Sequence, residues 1–310
     1  MSRRRPTWPD LPRELRRAVE GRLGAVVATW ESHDAGYSPG PALTLTTAEG
    51  DRVFVKAADT RNPDSVRFHR REAEVAAALS DDVPTPRLRW SLEVVDADGL
   101  EWVALAFDAV AGRNPRVPWR PEELAAVGRL VTRVAEAPAP ALLVDYADGV
   151  YDGWGSLAAA PDPGLASYDP WATANLEALA AIEATAPDAV RGDRLVHNDL
   201  RGDNVLVPDD GSPALVVDWP HARRGAAFCD LVGWLPALRL EGGPEPEEML
   251  AAHPVGRAAD PDAVTAFVVA IAGYFVHSSL QPPPPGIPHV RAFQRAQGEV
   301  CLDWLRVRLG

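Results

Sequence analysis

The sequence predicts an α+β fold in two lobes. Residues 1–110 should form a small N-terminal lobe with a five-stranded antiparallel sheet and one helix, and residues 111–310 a larger, mainly helical C-terminal lobe. Three observations point there. Short apolar and β-branched runs separated by turn residues crowd the first third. From Pro121 onward the apolar residues recur at helical spacing instead. Finally, 310 residues with 46% apolar and 24% charged side chains are enough to bury a core in each lobe.

Taken in order, Leu11–Leu23 has helical spacing and is followed by strand-like runs Ala25–Trp30, Ala42–Thr47 and Arg52–Ala57. The residues Ala48–Asp51 read as the turn of a hairpin between the last two. Asn62-Pro63 starts a helix, with Asn as N-cap and Pro in the first turn, and that helix is expected to run to Leu79. Pro84-Thr-Pro86 stops the helical pattern, and strands Trp90–Val95 and Trp102–Phe107 flank the turn Asp96–Gly99. Residues 108–114 read as a polar crossover linker. Helices are expected over 121–136, 170–186, 225–240, 260–278 and 288–308, with 145–169 as a loop and the proline tract after Gln281 as a stiff connector.

Composition narrows the function. No apolar run reaches about 18 residues, so no membrane-crossing helix is expected, and no apolar signal segment follows the basic start Met1–Pro6. Cys229 and Cys301 are too few for a disulfide framework or a zinc site, and a cytoplasmic location is the expectation. The net charge of −13 argues against nucleic acid as a partner. Residues 111–310 carry 26 acidic and 16 basic side chains, a balance of −10 that could draw a cationic small molecule or could simply be a solvated surface.

Two residues of the first lobe stand out. Of 31 basic residues, Lys56 alone is lysine, which suggests a position where a compact ammonium serves and a planar guanidinium does not. On an alternating strand it shares a face with Phe54 and not with Val53 and Val55. In the following helix, Glu72 falls within the stripe Phe68, Val75, Ala76 and Leu79, whereas Glu74 lies about 200° away. A carboxylate in an apolar stripe is costly unless a cation meets it, and Lys56 is the expected partner.

The densest signal is residues 195–219. Asp199 and Asn204 lie on a polar loop, Val205–Val207 and Ala214–Val217 form a hairpin across an Asp-Gly turn, and closing it returns Asp218 beside Asn204. An amide oxygen and carboxylates so placed suit Mg²⁺, which keeps phosphate oxygens and water in its other positions. With the lobes facing each other, Lys56 and Glu72 should look across a cleft at Asp199, Asn204 and Asp218.

With these residues in place, the chain resembles the aminoglycoside phosphotransferase and choline kinase-like family, a small-molecule branch of the protein-kinase-like two-lobe fold. The resemblance runs from about residue 24 to the C-terminus and rests on His197-x-Asp199-x-x-x-x-Asn204, on Val216-Val-Asp218-Trp219 and on the Lys56 and Glu72 spacing. It implies Asp199 as catalytic base, Asn204 and Asp218 as Mg²⁺ ligands, and Lys56, held by Glu72, on the phosphates of ATP or GTP. It also implies supporting roles for His197, which would brace the loop, and for Asp230, a buried acid bonded to it. Arg201 is read as pairing with Asp203 or as touching phosphate or substrate.

Several features depart from the family pattern. Asn198 stands where the family usually has Gly, and the phosphate-covering loop His33–Gly40 offers Ser38 and Gly40 but no G-x-G-x-x-G. The implied activity is phosphoryl transfer to a hydroxyl of a small molecule, either an aminoglycoside-like or other amine-bearing antibiotic or a metabolic acceptor such as an amino alcohol, homoserine or a sugar. A non-catalytic nucleotide-binding module is the remaining alternative. Acceptor specificity should reside in 145–169 and 241–258, and Glu241–Glu248 could line an acidic wall or form a solvated loop.

Overall fold

The computed structural model describes residues 5–33, 40–284 and 289–310. Ser38 and the end of the proline tract lie outside them. Two compact units emerge: Met1–Asn114 with Asp203–His221, and Pro115–Gly202 with Ala222–Gly310. The units therefore do not follow the expected division at residue 110, because the hairpin after Asn204 is built onto the first unit.

In that unit, helix α1 (Arg13–Leu23) precedes strands β1 (Val27–Ser32), β2 (Ala42–Thr47) and β3 (Arg52–Asp59). Helix α2 (Pro63–Ala78) and strands β4 (Leu88–Val95) and β5 (Glu101–Asp108) follow. The sheet order is β1-β2-β3-β5-β4, antiparallel throughout. The side-chain alternation of β3 divides the core. Val53, Val55 and Ala57 pack with Leu43, Leu45 and Ala106 against Leu15 and Val19 of α1. On the opposite face Phe54 and Ala58 join Leu105, Phe107 and Val66 of α2. Each such leucine or valine, fully buried, contributes about 1.5–3 kcal/mol. Helix α2 begins as its sequence suggests, with Asn62 Oδ1 accepting from the Ser65 amide at 3.1 Å.

Residues 108–114 are not a free linker. Within them β6 (Gly112–Arg113) pairs with β7 (Val205–Pro208), which pairs with β8 (Leu215–Val216), and this three-stranded ladder satisfies backbone groups that a linker would leave to water. The β7–β8 turn uses Gly211 at φ +79°.

The second unit is helical around α3 (Pro121–Glu136), α4 (Cys229–Leu240), α5 (Pro261–Leu280) and α6 (Val290–Leu309), with a short ladder of Arg194–Val196 and Arg223–Gly225. Helix α5 is long and apolar enough to cross a membrane by length and composition, contrary to the sequence expectation. In this unit it packs against α6 and the short helix Gly153–Ala159, burying Val264, Phe267, Val268, Val269 and Val276. A Cβ on Gly153 would sit 2.0 Å from the Gly273 carbonyl oxygen, so glycine permits that crossing.

Two expectations are corrected here. Residues 145–169 are not a loop but contain a 3₁₀ turn (Tyr146–Gly149) and helices Gly153–Ala159 and Gly164–Tyr168. The expected helix 170–186 is divided into Pro170–Ala174, Leu176–Glu183 and a further turn at Ala186–Ala189. Segments of four to eight residues are too short to show a helical period, and tertiary packing decides them.

Candidate functional site

In the first unit the β3 register sets Lys56 between Ala42 of β2 and Leu105 of β5. Its ammonium lies 2.5 Å from Glu72 Oε2 and 2.8 Å from Asp218 Oδ1. Glu72, 2% exposed, sits in the buried stripe of α2 with His69 and Val75. Burial pulls the Lys56 ammonium down, but the carboxylates of Glu72 and Asp218 outweigh it and the net direction is up. Burial likewise pushes the Glu72 carboxyl up, to about 7, against the pull of Lys56.

The hairpin brings the other two residues to this point. Val205 pairs with Val216, and the Val217 amide donates to the Asn204 carbonyl at 2.9 Å, so Asn204 and Asp218 stand side by side where the hairpin opens. Asp218 has φ +74°, and the next residue, Trp219, is buried with its indole N–H on Thr85 Oγ1 at 2.9 Å. That wedge aims the Asp218 carboxylate toward Lys56 while leaving it 46% exposed. From β6 onward, Asn114 holds the hairpin: its Nδ2 donates to the Asp203 and Val205 carbonyls at 3.0 and 2.8 Å.

These residues line a cavity of about 390 Å³ contained in this unit, with Phe54, Phe107 and Leu206 as apolar walls and Arg113 and His33 at its margin. Phe54 was legible as a face-mate of Lys56, and Asn114 carried no signal beyond the polarity of its segment. Pro41 lines the cavity, whereas Gly40 beside it is half-buried and not among the lining residues.

The donor chemistry of the hairpin fits a hard divalent cation. Asn204 and Asp218 offer an amide oxygen and a carboxylate, and among the described residues no group of three His, Cys, Asp or Glu side chains forms a closed cage. A cation there would take its remaining ligands from phosphate and water, as Mg²⁺ does.

The second unit holds the loop that follows strand Arg194–Val196. Asp230, in the first turn of α4, accepts from the amides of His197 at 2.7 Å and Asn198 at 2.9 Å. Burial pushes the Asp230 carboxyl up to about 6 although both amide bonds oppose the shift. Asn198 has φ +64°, the left-handed region where glycine is least strained, which accounts physically for the Gly that the family resemblance sets at this position. His197 is fully buried and its Nδ1 accepts from the Asp199 amide at 3.3 Å, which puts the ring proton on Nε2. Arg201 Nη1 lies 3.4 Å from Asp199 Oδ1, and its guanidinium stacks 5.7 Å over Phe293. Asp203, the partner suggested by the sequence, belongs to the other unit.

Over 241–248 the carboxylates are partly engaged. Glu245 pairs with Arg239 at 2.7 Å, and Glu247 with Arg308 at 2.7 Å and Trp304 Nε1 at 2.6 Å, while Pro246–Ala252 is a helix. Glu241 alone turns toward the loop and accepts from Trp119 Nε1 at 2.8 Å.

Lys56, Glu72, Asn204 and Asp218 thus meet within one unit, and His197, Asp199, Arg201 and Asp230 within the other. Known structures share this fold. An aminoglycoside phosphotransferase, APH(4)-Ia, as a thermostable mutant, has TM-score 0.58 and 17% identity over 95% of this chain and 99% of its own. Choline kinase LicA from Streptococcus pneumoniae has TM-score 0.59 and 12% identity over 93% and 98%. The amicoumacin kinase hAmiN, solved with AMP-PNP, Ca²⁺ and Ami, has TM-score 0.57 and 12% identity over 93% of both chains. No curated protein matches the chain. Residues 29–267, which contain both halves of the constellation, match the family model for phosphotransferase enzymes (APH). With its two-lobe, protein-kinase-like fold, the chain belongs to the phosphotransferase enzyme family.

Proposed function

We propose that this protein is a small-molecule kinase that transfers the γ-phosphoryl group of ATP to a hydroxyl acceptor. The observation that carries the reading is Lys56, gripped by Glu72 at 2.5 Å and Asp218 at 2.8 Å at the wall of a cavity that Asn204 also lines. The only lysine of the chain stands where an ammonium can reach a polyphosphate, with its position held by a buried carboxylate.

The roles follow from chemistry. Phe54, Phe107 and Leu206 enclose the base, and Lys56 reaches the phosphates. Asn204 and Asp218 would hold Mg²⁺, which when bound neutralises charge on the phosphoryl oxygens. Asp199 orients the acceptor hydroxyl and takes its proton as that oxygen bonds to the γ-phosphorus and the bond from phosphorus to the bridging oxygen of ADP breaks. Arg201 steadies the Asp199 carboxylate through their 3.4 Å contact, and Asp230 and His197 fix the backbone that carries it. The acceptor is a hydroxylated small molecule. The acidic balance of residues 111–310 supports an amine-bearing acceptor, and the ion pairs of Glu245 and Glu247 with arginines leave room for a neutral one.

ADP release measured over a panel of amine-bearing antibiotics, amino alcohols, homoserine and sugars tests this. At least one acceptor should stimulate release in Mg²⁺-ATP, and Asp199→Asn should abolish it while leaving nucleotide affinity intact. Full turnover by that variant would overturn the base assignment.

A further inference from the structure

Helix α4 holds the Asp199 loop at one end through Asp230, and the other end has its own fastening. Gly202, four residues after Asn198, packs against Glu241 and Trp119: a Cβ there would lie 3.1 Å from Glu241 Oε2 and 3.4 Å from Trp119 Cζ2. Glu241 follows directly on the last residue of α4. Its Oε2 accepts from Trp119 Nε1 at 2.8 Å, and the Trp119 ring meets buried Trp234 of α4 edge-on at 5.5 Å. Behind this pair, Gly242 at φ +84° would press a Cβ to 2.9 Å from Pro118, so the turn after α4 and the residues before α3 interlock. Asp230 and Glu241 are eleven residues apart, about 16 Å along a helix, and the loop from Asn198 to Gly202 runs between them.

We infer that the Trp119–Glu241 pair is a second anchor that fixes the distal end of the Asp199 loop, making both positioning residues for phosphoryl transfer. This gives Glu241 a role that needs no acceptor cation. For the bond to Trp119 the anchor needs an accepting oxygen, since the indole N–H is a neutral donor.

The inference rests on the proposed kinase reading for its kinetic arm only. Glu241→Ala and Trp119→Phe should accelerate hydrogen exchange at the backbone amides of Asn198–Gly202 in the full chain, relative to wild type. They should also lower kcat for ADP release in Mg²⁺-ATP with the best acceptor, with KM for ATP unchanged. A displacement of about 1 Å can cost on the order of 10²-fold in rate. Glu241→Gln, which keeps an accepting oxygen, should restore both, and Arg239→Gln on the same helix should alter neither. Unchanged loop exchange in Glu241→Ala and Trp119→Phe would overturn the anchor whether or not the protein proves to be a kinase. So would a Glu241→Gln variant as slow as Glu241→Ala, because the charge itself would then be at work. Absence of ADP release from wild type with any acceptor would instead fail the kinase reading and leave the exchange result to judge the anchor.

Discussion

Replacing Lys56 with methionine separates what this residue does for stability from what it does for ligand binding. The substitution removes the ammonium that lies between Glu72 and Asp218 and leaves Glu72, 2% exposed, without its neutralising partner. Breaking a buried pair from one side costs roughly 3–5 kcal/mol. The Lys56 side chain keeps 16% exposure, Asp218 46%, and Glu72 can take up a proton, so the low end applies, about 3 kcal/mol. Removing the second buried charge as well, in Lys56→Met/Glu72→Met, leaves an apolar contact of similar volume and should return stability to within about 1 kcal/mol of wild type. Nucleotide affinity should be lost in both variants. Urea unfolding followed by fluorescence of the ten tryptophans gives the stabilities, and calorimetry with ATP and Mg²⁺ gives the affinities. A single variant that loses less than about 1 kcal/mol, or a double variant no more stable than the single one, would refute the buried-pair account. Nucleotide binding regained by the double variant would refute the assignment of Lys56 to the phosphates.

Asp230 supplies a pH dependence. Its carboxyl is pushed up to about 6 from 3.8, so between those values the folded chain holds a proton that the unfolded chain releases, and stability falls as pH rises through that window. At 1.36 kcal/mol per unit the decline is about 3 kcal/mol. Urea midpoints at pH 4 and 6.5 should fall less in Asp230→Asn than in wild type by that amount, the remaining decline coming from Glu72 and Glu183, which burial also pushes up to about 7, and parallel profiles would count against it. Asn198→Gly relieves a left-handed backbone and should stabilise the fold by about 0.5–1 kcal/mol with kcat retained, read from the same unfolding curves. Gly153→Ala drives a methyl into the Gly273 carbonyl and should cost about 3 kcal/mol or more, visible as a lowered melting temperature.

The first unit was largely legible because its signals are periodic and local. The alternation of β3 set Phe54 and Lys56 on one face and Val53 and Val55 on the other, and the α2 spacing exposed Glu72 as the buried acid. The 121–136 helix matched residue for residue. What sequence could not reveal was non-local. Membership of Asp203–His221 in the first unit depends on the pairing of β6 with β7, nearly a hundred residues apart. The short helices of 145–169 exist because α5 and its neighbours pack on them, not through any period of their own. Glu241 read as part of an acidic run because charge is visible in a sequence, whereas its indole partner at Trp119 is not.

The crossing of the chain between the two units at 114–115, 202–203 and 221–222 has a practical consequence. A fragment ending at residue 114 would contain the whole five-stranded sheet, yet it would lack Asn204, Leu206, Val217 and Asp218, and with them one wall of the cavity. The pocket therefore cannot be isolated by truncation, and Lys56 in such a fragment would keep only one of its two carboxylates. A minimal version would have to be a splice: residues 1–114 joined by a short linker to 203–221, with β7 and β8 re-paired on β6.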